Sequence, residues 1–71
     1  MNITEAMRKK LLGFQSNEIS ERHIYSELAP KAKSPENRKI ISDIADDRLR
    51  HYRKWQQYTR QDAEPDRLKT C

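Results

Sequence analysis

Apolar positions in the first half of the chain recur three and four residues apart. Met7, Leu11, Phe14, Tyr25, Leu28 and Ala32 keep this step, and Glu18 and Glu21 hold the two places between Phe14 and Tyr25. The step puts all eight on one face of a helix. Leu12, Ile19 and Ile24 widen that face beyond a two-position coiled-coil seam, as a bundle helix requires. A second stripe runs Ile41, Ile44, Arg48, His51, Trp55, Tyr58 with the same alternation. An arginine and a histidine therefore stand in the middle of an otherwise apolar face. Polar groups at that depth are costly unless something meets them.

Turn chemistry separates the stripes. Asn2 or Thr4 can cap the first helix, and Glu5 suits its positive end. Pro30 cannot donate to the carbonyl of Ser26, so it ends or kinks that helix. Ser34-Pro35-Glu36-Asn37 supplies an N-cap, a proline at the first helical position and an acid in the first turn. The reading is helix 1 over about 4–30 and helix 2 over about 35–60, a helical domain spanning 1–61. The stretch 62–71, with Asp62-Ala63-Glu64-Pro65-Asp66 as a polar breaker, is expected to be a loose tail. Gly13 weakens helix 1 by about 1 kcal/mol relative to alanine.

Two long helices on a short connection form an antiparallel hairpin. With the turn centred near Lys33, facing residues have numbers summing to about 66. That register pairs Tyr25 with Ile41, Glu18 with Arg48, Phe14 with Tyr52 and Leu11 with Trp55. It also brings Glu18, Arg48 and His51 within a turn of each other. One hairpin leaves its seam wet, whereas two related by a two-fold axis close a four-helix bundle. The expected fold is thus all-α, a two-helix hairpin that homodimerises or assembles further.

Composition agrees. Of 71 residues, 34% are hydrophobic and 37% charged, with a single glycine, which suits long helices and leaves little for a self-sufficient core. Net charge is +4, but the charges are interleaved, and Tyr52 and Trp55 sit at core spacing among the basic residues. A solvated helix face is expected rather than a nucleic-acid surface. His23 falls off the stripe and is expected to be exposed. Lone Cys71 permits no internal disulfide, which fits a cytoplasmic location. No apolar run is long enough to span a membrane, so no membrane contact is expected. Neither a Ser/His/Asp or Cys/His nucleophile set nor a phosphate-cradling glycine loop is present.

The polar cluster carries a resemblance. Leu12-Gly13-Phe14-Gln15-Ser16-Asn17-Glu18-Ile19-Ser20-Glu21-Arg22-His23-Ile24-Tyr25 resembles the first helix of rubrerythrin-type ferritin-like domains. Ser34-Pro35-Glu36-Asn37-Arg38-Lys39 and Ile44-Ala45-Asp46-Asp47-Arg48-Leu49-Arg50-His51-Tyr52 resemble that family's turn and second helix. Such bundles hold a di-iron site with a glutamate on one helix and Glu-x-x-His on the next. The resemblance implies iron binding or iron oxidation of the ferroxidase or peroxidase type, with Glu18 and His51 as ligands. Glu21 and Asp47 are the further candidate metal ligands. Two departures stand out. Arg48 replaces the bridging glutamate three residues before His51, and the stretch covers only two of the family's four helices. The alternative is a metal-free dimerisation module or half-domain in which an Arg48–Glu18 ion pair stands in for the metal charge.

Overall fold

The computed structural model describes residues 3–66. The Thr4 hydroxyl accepts the Met7 N–H at 3.1 Å and starts α1, Glu5–Leu28. Pro30 falls in a 3-10 turn, Ala29–Lys31, that closes α1 where the missing proline donor forbids another α-helical turn. Ser34 accepts the Asn37 N–H at 3.1 Å and opens α2, Pro35–Thr59, with Pro35 in its first turn. The Arg38 guanidinium reaches back 2.9 Å to the Ala32 carbonyl and ties the turn to α2. Among the described residues there is no strand.

The helices lie antiparallel, with Arg8 on α1 donating to the Thr59 carbonyl at one end and Glu18 beside Arg48 near the middle. Glu18–Arg48, Glu21–Arg48 and Phe14–Trp55 sum to between 66 and 69, within a helical turn of the register expected from the turn, whereas Gln15–Thr59 at the far end sums to 74. Phe14 meets Trp55 rather than Tyr52. Principal extents of 45 × 24 × 12 Å make the hairpin two helices wide and one helix thick.

Burial differs from the expected stripe in a regular way. The buried positions are Gln15, Ala45, Tyr52 and Thr59, each one residue after a stripe position. Ser20 is the fifth buried residue. Because the helices run in opposite directions, the same step along the sequence turns each toward the other. The flanks are therefore covered, and the stripes face one broad side of the hairpin. On that side Met7 is 51% exposed, Phe14 47% and Leu28 45%, with Ile40 also exposed. The only buried hydrophobic residues among those described are Ala45 and Tyr52. That is a very small core for a folded domain.

The opposite broad side is covered by the chain itself. Arg60 ends α2 in the left-handed region (φ 53°, ψ 31°), and the chain turns back along α1. Gln15 donates to the Gln61 carbonyl at 2.8 Å, Ser16 to the Glu64 carbonyl at 2.8 Å, and the Asp66 N–H donates to Ser20 at 2.6 Å. The Ala63 N–H donates to the Tyr52 hydroxyl at 2.8 Å. The expected loose tail is thus a strap over 62–66, held because the groove offers side-chain partners to its main chain. The rest of that tail, 67–71, lies outside the described residues.

Candidate functional site: an arginine between two glutamates

Arg48 stands near the middle of α2 and points at α1. Its Nε lies 3.0 Å from Glu21 Oε2, and its Nη1 lies 3.8 Å from Glu18 Oε2. Glu18 and Glu21 are three apart on α1 and so present both carboxylates to one cation. The Arg48 Nε is buried and out of line for a hydrogen bond, so its contact with Glu21 is one of charge. His51, three residues along α2, brings Nδ1 to 3.3 Å from the same Glu18 oxygen. Glu18 therefore serves both groups, and it is the least exposed member at 18% against 54% for His51.

Of the four ligand candidates, the structure brings Glu18 and His51 together. Glu21 is turned to Arg48, and Asp47 pairs with Arg50 on its own helix. His23 is half exposed and pairs with Glu27 at 3.2 Å, away from the cluster. Among the described residues, no three His, Cys, Asp or Glu side chains gather in a geometry that could hold a metal ion. The donor set of one hairpin also fits a di-iron centre poorly. It offers one carboxylate and one imidazole, and a guanidinium occupies the place where two cations would need a bridging anion.

Aromatic and apolar side chains frame this cluster. Phe14 and Trp55 sit with ring centroids 5.9 Å apart and planes tilted by 50°, a favourable inter-ring geometry. The cluster is thus a polar island in an open apolar face.

Sequence reasoning missed the polar layer on the other flank. Gln15, Ser20 and Thr59 are fully buried. Thr59 donates to the Gln15 side-chain carbonyl at 2.5 Å, and Ser20 donates back to the Ser16 carbonyl at 2.7 Å. The available signal was a run of amide and hydroxyl residues one and two places after the apolar positions, followed by a tail able to fold back.

Among the described residues, no helix is long and apolar enough to cross a membrane. No family model, no curated protein and no solved structure matches this chain.

Proposed function

We propose that this chain is a helical self-association module. In this reading two hairpins join through the face of Met7, Phe14, Leu28 and Ile40 into a ferritin-like four-helix bundle, with an internal ion-pair cluster where such bundles hold metal. One observation carries the reading: Arg48 sits between Glu18 and Glu21, supplying the positive charge those carboxylates would otherwise seek from a cation. The need for a partner rests on the small core. With Ala45 and Tyr52 the only buried hydrophobic residues among those described, a single layer of two helices gains too little to offset chain entropy. A second copy is the occupant this face suits, because its apolar length and central charges of both signs are self-complementary under a two-fold axis. Light scattering and concentration-dependent melting test this. A dimer whose melting temperature rises with concentration is expected. A monomer with a concentration-independent melt removes the reading.

A second reading is favoured by the Glu18–His51 contact. A carboxylate oxygen 3.3 Å from an imidazole nitrogen is a donor pair that a divalent metal can use. A two-fold dimer supplies two such pairs. On this reading the protein is an iron-binding, ferroxidase-type oxidoreductase in which Arg48 is drawn aside by Glu21. Elemental analysis of protein purified from iron-supplemented medium separates the two readings.

A further inference from the structure

The groove opposite the open apolar face does something the bundle does not require. It binds a stretch of extended polypeptide by its main chain. Gln15 and Ser16 donate to the carbonyls of Gln61 and Glu64, while the N–H groups of Ala63 and Asp66 donate to Tyr52 and Ser20. Of the strap hydrogen bonds named so far, none involves a strap side chain. The Gln56 amide, which donates to the Asp62 carboxylate, adds a side-chain contact. A groove that reads backbone cannot tell its own strap from an identical strap on another molecule.

We propose that this groove is a binding site for an extended peptide segment, filled in cis by residues 61–66 and exchangeable with the same segment of a second copy. Three features support exchange. The contacts are identical in cis and in trans, so exchange sacrifices none of them. The hinge is the single residue Arg60, a non-glycine held at φ 53°, and straightening it relieves an unfavourable conformation. Finally, the groove floor is polar. Gln15, Ser20 and Thr59 are fully buried and can bond to water when the strap lifts, so the groove's buried polar groups keep partners in the open form, with the Tyr52 ring as its aromatic part. Against exchange stands the tether, which holds the strap near its own groove at an effective concentration of about a millimolar. The exchanged form is therefore expected to grow with protein concentration. This inference does not rest on the open face being a dimer interface.

A two-pool cross-linking experiment tests it, with full-length chains carrying Cys71→Ser. One pool carries Ser20→Cys and the other Asp66→Cys, positions whose native atoms are 2.6 Å apart. After mixing and oxidation, a disulfide can join the pools only if the strap of one chain lies in the groove of the other. Bridge yield is expected to rise several-fold between about 10 µM and about 1 mM, the scale set by the tether. Arg60→Gly, which removes the hinge penalty from the closed form, is expected to lower the yield about fivefold. A pool pair with Asp66→Cys and Lys39→Cys gives the background. Dimerisation through the Phe14 face with straps closed gives no bridge above that background, since Ser20 lies on the other side. A chain carrying both Ser20→Cys and Asp66→Cys checks docking. An internal bridge without inter-pool bridges overturns exchange, and no bridge of either kind overturns the groove itself. Circular dichroism of each variant confirms that the helices are intact. Hydrogen exchange at the Ala63 and Asp66 amides of the unsubstituted chain gives an independent reading. Protection at both is expected, and free exchange at both overturns the proposal.

Discussion

Arg48 Nε approaches Glu21 Oε2 to 3.0 Å, closer than either approaches any other charged partner across the hairpin. The register had pointed to Glu18 as the partner of Arg48, and Glu18 does lie 3.8 Å from its Nη1. It is Glu21, one turn nearer the connection, that makes the tighter contact. The pair is only about two-thirds shielded in a single hairpin, with side-chain exposures of 33% and 38%. Its strength accordingly depends on whether a second copy covers it.

The substitution Glu21→Gln is expected to cost about 1 kcal/mol in a single hairpin, as for a partly exposed pair. If association buries the cluster, the cost rises toward about 3–5 kcal/mol, because a guanidinium is left short of its partner. Urea denaturation at two protein concentrations measures both. An equal loss at low and high concentration would show that the cluster does not become buried.

Arg48→Glu restores Glu-x-x-His on α2 and places three carboxylates together with His51. Without metal this variant is expected to melt lower than the parent, since Glu18, Glu21 and residue 48 then repel one another. Added manganese, zinc or ferrous iron should reverse that loss, and chelator should restore it. For the parent protein, the metal-free reading expects chelator to leave the melting temperature unchanged. The iron-binding reading expects a drop that His51→Ala abolishes. Melting curves with and without chelator decide between them.

Phe14→Ser removes a half-exposed ring that meets Trp55 across the hairpin. The variant is expected to keep its helical circular dichroism at high concentration while its association weakens about tenfold or more, the scale of a lost aromatic at an interface. Sedimentation equilibrium reads the change. Unaltered association would remove Phe14 from the interface.

Gly13→Ala should stabilise the protein. A Cβ at this position meets nothing within 4 Å, so the helix gains about 1 kcal/mol of propensity with no steric penalty. For a chain of this size the melting temperature is expected to rise by about 4–8 °C. A fall would show that some neighbour closes over Gly13 in the assembled protein.

Tyr52→Phe keeps the buried ring and removes the hydroxyl that accepts the Ala63 N–H. The expected cost is about 1 kcal/mol. Faster amide exchange at Ala63, with the middle of α1 unaffected, identifies the loss as local to the strap.

By itself the sequence determined the local structure. Ser34 has a side-chain oxygen suited to capping, as do Asn2 and Thr4, of which Thr4 is the cap observed; Pro30 lacks the donor an α-helix needs, and Pro35 suits a first turn. These are properties of single residues and their immediate neighbours, so they are legible without knowing what packs where. The length of the connection also set the register, and with it the meeting of Glu18, Arg48 and His51.

Tertiary structure decided which flank of each stripe is covered. The apolar stripe says where a helix would like to be buried, but one neighbour can cover only one side. In the hairpin that side is one residue along, at Gln15, Ala45, Tyr52 and Thr59, leaving Phe14 and Met7 open. Nor could periodicity choose between Glu18 and Glu21 for Arg48, because both lie on the same face and side-chain reach settles the contact. The strap was hidden for a related reason. A polar tail has no apolar pattern to announce a docking face, and four of the hydrogen bonds that hold 61–66 run through its backbone, which every sequence shares. Only the placement of Gln15, Ser16, Ser20 and Tyr52 along one groove turns that generic main chain into a specific contact.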